Sequence, residues 1–359
     1  MGDTNQINTD INNVRRNFFI NRSHNLVFFI LICLLIVAFF ISFTIGRYSI
    51  SLKQLFEIFY FKILGIANTG SNSDMVDTVI FKVRLPRIIA AILVGAALSV
   101  SGASFQGLFK NPMASADILG ASAGAGFGAA VALLLSFNTV GVQLLSFAFG
   151  LGAVALTYAI STKIGRGSSP ILVLVLTGMV VTALFTSAIS LTKYVADPDG
   201  KLPVITFWLM GGLSTITVAN LKMLIPPVIL SIIPLLLLRW RLNLFSFGEE
   251  EAQSLGINTT RLRTIIIICS TILTAGTVSI SGMVGWVGLV IPHLARMLVG
   301  PNYKILLPTS LLLGGIYLLV VDDFARCLFT MEIPLGILTS MVGAPFFIYL
   351  LLNGKRGWL

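Results

Sequence analysis

Three acidic residues in a row, Glu249, Glu250 and Glu251, follow Gly248 in the longest charged interruption of the second half of an oily chain, residues 247–263. Acidic side chains in a first turn and a glycine beyond the last turn, here Gly256, are the expected ends of a short helix. Asn258 or Thr259 is placed to cap a second short helix carrying Arg261 and Arg263. Such a pair is either a surface held out for another protein to grip or an ordinary solvated loop. A second group is basic: Arg84 and Arg87 flank Leu85 and Pro86, and Arg326 lies far downstream. Three-residue spacing puts two guanidinium groups on one helix face, and a guanidinium fork fits carboxylates. The cluster therefore suits acidic residues of an external partner, or else marks an interface, with Asp322 or Asp323 neutralising Arg326. His293 stands alone after Pro292, and Cys33, Cys269 and Cys327 show neither disulfide nor zinc spacing, so no metal ligand set is expected.

The elements that hold these groups are set by composition. The chain has 359 residues, 56% hydrophobic and 11% charged, where a soluble domain carries about a quarter charged residues. An all-α integral membrane protein is expected. The net charge of +10 is scattered between apolar spans, which reads as loop asymmetry and not as a nucleic-acid footprint.

A polar tail, residues 1–25, precedes the uncharged run Leu26–Ile45, which at about 30 Å is long enough to cross the hydrocarbon layer. Further runs recur at 88–109, 114–136, 142–160, 170–192, 205–239, 264–280, 283–299, 305–326 and 334–352. Ten spans form one domain over 26–359, place both termini on one side, and make that side richer in Lys and Arg, so the termini and 248–263 are expected in the cytoplasm. Pro86 suits the first turn of the second span. Ser99–Gly102 before Asn111-Pro112, and Ser279–Gly282 before Pro292-His293, hint at an inverted internal repeat. Glycines such as Gly95, Gly102 and Gly124 allow close helix packing.

Absences narrow the function. The chain has no phosphate-binding G-x-x-x-x-G-K-[ST], no H-E-x-x-H and no nucleophile elbow. A secondary carrier usually keeps a carboxylate or histidine at mid-membrane for ion coupling, and a membrane enzyme needs a polar cluster at one depth; neither is evident.

Residues 84–129 (RLPRIIAAILVGAALSVSGASFQGLFKNPMASADILGASAGAGFGA), 248–257 (GEEEAQSLGI), 282–300 (GMVGWVGLVIPHLARMLVG) and 334–351 (PLGILTSMVGAPFFIYLL) resemble the permease subunits of ABC importers for iron–siderophore complexes, haem and cobalamin. The resemblance implies ten spans, a homodimer or a pairing with a homologous permease, two separate ATPase subunits that hold ATP and Mg, and a substrate-binding protein outside the cell membrane. This chain itself would bind no cofactor and catalyse nothing. The family's coupling element matches Glu249, Glu250, Glu251, Ala252, Leu255 and Gly256, its outer docking arginines match Arg84, Arg87 and Arg326, and its inner gate matches Asn111 and Met113, with a second gate position near Ser168 and Ser169. Pathway-lining positions match Thr177, Met179 and Thr182. Ferric siderophore is the first cargo expected, then haem, then cobalamin.

Overall fold

The structure is a computed structural model that describes residues 3–46, 48, 50–64, 73–164 and 170–353. Among them every regular element is a helix. The first, α1 (Asp3–Thr44), runs through the expected tail without a break, and its apolar part is His24–Thr44. Next comes α2 (Leu52–Leu64), which tucks Leu55 and Ile58 inward and leaves Leu52, Phe56 and Tyr60 exposed. The three- and four-residue spacing of these side chains is a helix signal that the hunt for long spans passes over.

A continuous helical rod follows: α3 (Ser73–Asp77), a π-helical stretch Thr78–Arg84, and α4 (Leu85–Phe109). Pro86 stands in the first turn of α4, as expected, but that turn continues a π-helical stretch and is not a free helix end. A proline ring clashes with the carbonyl four residues back in an α-helix; the wider turn just before Pro86 loosens that stretch. Helix α4 is the axis of the bundle, with all but four of its residues buried. Between membrane helices there is little hydrophobic gain, so close backbone approach through small residues holds them together. A Cβ on Gly95 would fall 2.1 Å from the Gly314 carbonyl oxygen, and one on Gly102 would fall 1.8 Å from that of Gly288.

The remaining elements are α5 (Ala121–Leu134), α6 (Thr139–Ile164), α7 (Pro170–Val195), α8 (Lys201–Leu209), α9 (Val218–Phe247), α10 (Glu249–Ser254), α11 (Thr259–Ser281), α12 (Val287–Val299), α13 (Tyr303–Cys327) and α14 (Leu335–Asn353). Among the described residues seven helices are long and apolar enough to cross a membrane, and α5, α12 and α14 are shorter apolar helices. The single apolar run 205–239 is broken: residues 210–217 separate α8 from α9. Gly211 and Gly212 there bond to Leu335 and Ser281, tying the break to the ends of α14 and α11, and Thr217 with Asn220 forms a capping box that restarts the helix. The hinted repeat finds no local correspondence. Ser99–Gly102 lies in mid-helix, whereas Gly282 ends α11 at φ +66°, a conformation that suits glycine alone.

Candidate functional site

Two polar constellations stand out, at opposite ends of α4. At its N-terminal end the three singled-out arginines meet the ends of α1 and α13. Arg87 grips Asp322 with Nε and Nη2 at 2.9–3.0 Å and Glu332 with Nη1 at 2.9 Å. Arg326 pairs with Asp323 and, through Nε at 3.3 Å, with Asp322. Ser42 donates to Asp323 at 2.6 Å. Arg84 donates to the backbone carbonyls of Phe43 and Tyr48. The arginines are thus brought together as expected, but at 5%, 6% and 7% exposure none presents a free fork. Their carboxylate partners are the chain's own, and Asp322 is wholly buried. The arrangement clamps α1, α4 and α13 to one another.

At the other end lies the 248–263 segment. Helix α10 has the expected acidic first turn, and Gly256 follows Leu255 at φ +80°, its N–H and that of Ile257 returning to Gln253 and Ala252. The second short helix does not exist as a separate element. Asn258 accepts the Arg261 N–H at 2.8 Å and caps the long helix α11 directly, because the apolar run that follows continues the same helix. Ala252 is fully buried, Glu249 pairs with Arg263 at 2.6 Å, and Glu249 also accepts from Thr259 at 3.1 Å. Pinned in this way, α10 leaves Glu250, Glu251 and Leu255 exposed, Leu255 at 62%. The result is a short helix fixed to the body of the protein that turns one leucine and two carboxylates outward.

Next to it, the loop 110–120 joins α4 to α5. Lys110 ends α4 at φ +50°, Asn111 and Met113 are exposed, and the Asn111 side chain accepts the Met113 N–H at 2.9 Å. Asp117, a carboxylate inside the expected span 114–136, lies instead in this loop and accepts the Ser122 N–H at 2.7 Å, capping the start of α5. Of the pathway positions on α7, Thr177 is buried and Met179 is 61% exposed. They point to opposite sides of the helix, so with Thr182, half-buried against Gly120, they do not make one lining. Ser168 and Ser169 lie outside the described residues.

Sequence reasoning passed over Gln106, Arg296, Tyr303 and Asn243. Arg296 is buried at 9% exposure and donates to Gln106 at 2.8 Å. An arginine in the last turn of an apolar helix is the available signal.

A bundle of apolar helices, packed through glycines around one buried axis, marks a polytopic membrane protein. The chain belongs to the FecCD transport family, whose sequence model matches residues 34–353. It is 43% identical over 335 residues to the molybdate import system permease protein MolB of Haemophilus influenzae, covering 93% of this chain and 98% of that one. It is 36% identical over 337 residues to the hemin transport system permease protein HmuU of Yersinia pestis, covering 91% and 95%. Among solved structures it is similar to a metal-chelate type ABC transporter in an inward-facing conformation, at 41% identity and a TM-score of 0.81, covering 92% of this chain and 99% of that one. The chain is accordingly an ABC importer permease.

Proposed function

We infer that this chain is the membrane conduit of an importer driven by separate ATPase subunits, with α10 as the element they grip. The observation that carries the reading is α10 itself: buried Ala252 and the Glu249–Arg263 pair fix it to the body, while Leu255 and two carboxylates face outward. Two copies, or one copy and a homologous permease, enclose the pathway. A loaded binding protein delivers cargo at the Arg84 end, and nucleotide-driven motion of α10 opens the Asn111–Met113 end. The arginine clamp acts by holding the receiving end rigid; Glu332, whose side chain is 36% exposed, is its outward-facing member. Ten spans and cytoplasmic termini complete this topology.

The cargo is a metal complex taken up whole, a ferric siderophore in first place, in keeping with the metal-chelate transporter of similar structure. A second reading, molybdate, is favoured by the 43% identity to a molybdate permease along nearly its whole length.

Two experiments test this. Leu255→Arg should abolish co-purification of the ATPase subunits while leaving the permease folded; retained co-purification would contradict the role of α10. A thermal shift on the cognate binding protein with molybdate and with ferric siderophores should show stabilisation by a ferric siderophore; stabilisation by molybdate alone would replace that cargo.

A further inference from the structure

Helix α9 carries α10 at its end, and α4 carries the Asn111–Met113 loop at its end. Two separate contacts join these ends. In the first, Asn243 near the end of α9 donates to Asn302 Oδ1 at 2.8 Å and accepts the Tyr303 N–H at 2.7 Å. The Tyr303 ring lies on α4 where Gly107 leaves room: a Cβ there would come 2.9 Å from it. Tyr303 thus stands over Gly107, and Arg296 Nη2 donates to Oε1 of the neighbouring residue on α4, Gln106, at 2.8 Å. Gln106 then accepts the Asn111 N–H on its backbone carbonyl at 3.2 Å. In the second contact, Lys110 Nζ stands 5.9 Å from the centre of the Phe245 ring, within reach of a cation–π attraction.

The chemistry of the first contact is unusual for its place. Among the described residues Arg296 has no carboxylate partner, and its Nη1 has no hydrogen bond. A buried guanidinium is costly in an apolar surround. The last turns of α4 and α12, with their partial negative charge, offset only part of that cost. Packing alone would be served by a methionine. A polar group that is costly to bury has its best-attested use in fixing which neighbour an element engages and in what register. Here Arg296 engages Gln106, one turn before the loop.

We propose that Asn243, Tyr303, Arg296 and Gln106 form the linkage through which displacement of α10 reaches the Asn111–Met113 loop. Arg296 and Gln106 are positioning residues in it and touch no cargo. The linkage rests on the reading of α10 as the ATPase-gripped element.

The test uses the full complex of permease, ATPase subunits and binding protein in proteoliposomes. Co-purification, ATP hydrolysis and uptake of a labelled ferric siderophore and of labelled molybdate are measured in parallel. Gln106→Leu and Asn243→Ala should each keep co-purification and hydrolysis within about twofold of the parent. Uptake per ATP should fall about tenfold, the scale of one lost charge-assisted hydrogen bond for Gln106→Leu and of two neutral ones for Asn243→Ala. The double variant should fall no further than the worse single, since a chain broken once transmits nothing more to lose. Gln106→Glu keeps an acceptor for Arg296 and should retain uptake per ATP. Hydrolysis and uptake falling in parallel, losses that multiply in the double variant, or Gln106→Glu as uncoupled as Gln106→Leu would each overturn the linkage. If Leu255→Arg sheds the ATPases and Gln106→Leu still transports normally, the linkage alone fails. If Leu255→Arg keeps them bound, the prior reading fails.

Discussion

Replacing Arg87 with methionine, Arg87→Met, removes a fork that makes three contacts of 2.9–3.0 Å to Asp322 and one of 2.9 Å to Glu332. Asp322 is left buried with only the Arg326 Nε at 3.3 Å. Breaking a buried pair by removing one partner costs about 3–5 kcal/mol. Arg326 keeps part of the charge compensated, which puts the expected loss at the lower end, about 3 kcal/mol. The Glu332 arm, partly exposed, adds about 0–1 kcal/mol. Paired with Asp322→Leu, the same substitution should recover most of that loss, because apolar replacement of a buried pair is often neutral. Denaturation of the purified permease in mixed micelles, followed for the parent, both single variants and the double, measures the difference. The resemblance to known permeases gives Arg87 a different task, pairing with a glutamate on the binding protein. If Arg87→Met denatures like the parent and only loses binding-protein association, the clamp is refuted and the docking role stands.

Three further outcomes follow from local geometry. Gly102→Ala drives a Cβ to 1.8 Å from the Gly288 carbonyl oxygen, so α4 and α12 must separate; a loss near the upper end of the usual overpacking range, about 3 kcal/mol, should appear in the same denaturation assay. Gly152→Ala, with nothing within 4 Å of the added atom, should match or slightly exceed the parent; a loss there equal to that of Gly102→Ala would show that close approach is not the cause. Asn258→Ala removes the cap of α11 and should cost about 1 kcal/mol, with faster hydrogen exchange at the Arg261 amide that the cap now holds; unchanged exchange would contradict the cap.

Much of the bundle could be read from hydrophobic runs alone, because a span is a local property. The run 264–280 matches α11 and 305–326 matches α13 to within a few residues. What failed to show was whatever depends on distant partners. Two glycines bonded to the ends of α11 and α14 interrupt the 205–239 run, and nothing within that run says so. Asp322 and Asp323 are legible as neutralising neighbours of Arg326, three and four residues away on one helix, and the structure pairs them so; Asp322 as the partner of Arg87 is not, because the two stand 235 residues apart. Glu249 and Gly256 were legible because helix-end chemistry is local; the fate of Arg261 and Arg263 was not, since their turn merges with a span that begins only residues later. Arg296 gives no sign of its partner, because Gln106 lies 190 residues away in the chain.

The central claim is that this chain moves cargo only when ATPase subunits move it. The direct measurement is solute accumulation in vesicles holding the purified permease, with and without those subunits, the binding protein and ATP. Accumulation should require all of them and persist when a proton uncoupler collapses the ion gradient. Accumulation by the permease alone, abolished by the uncoupler, would contradict the account.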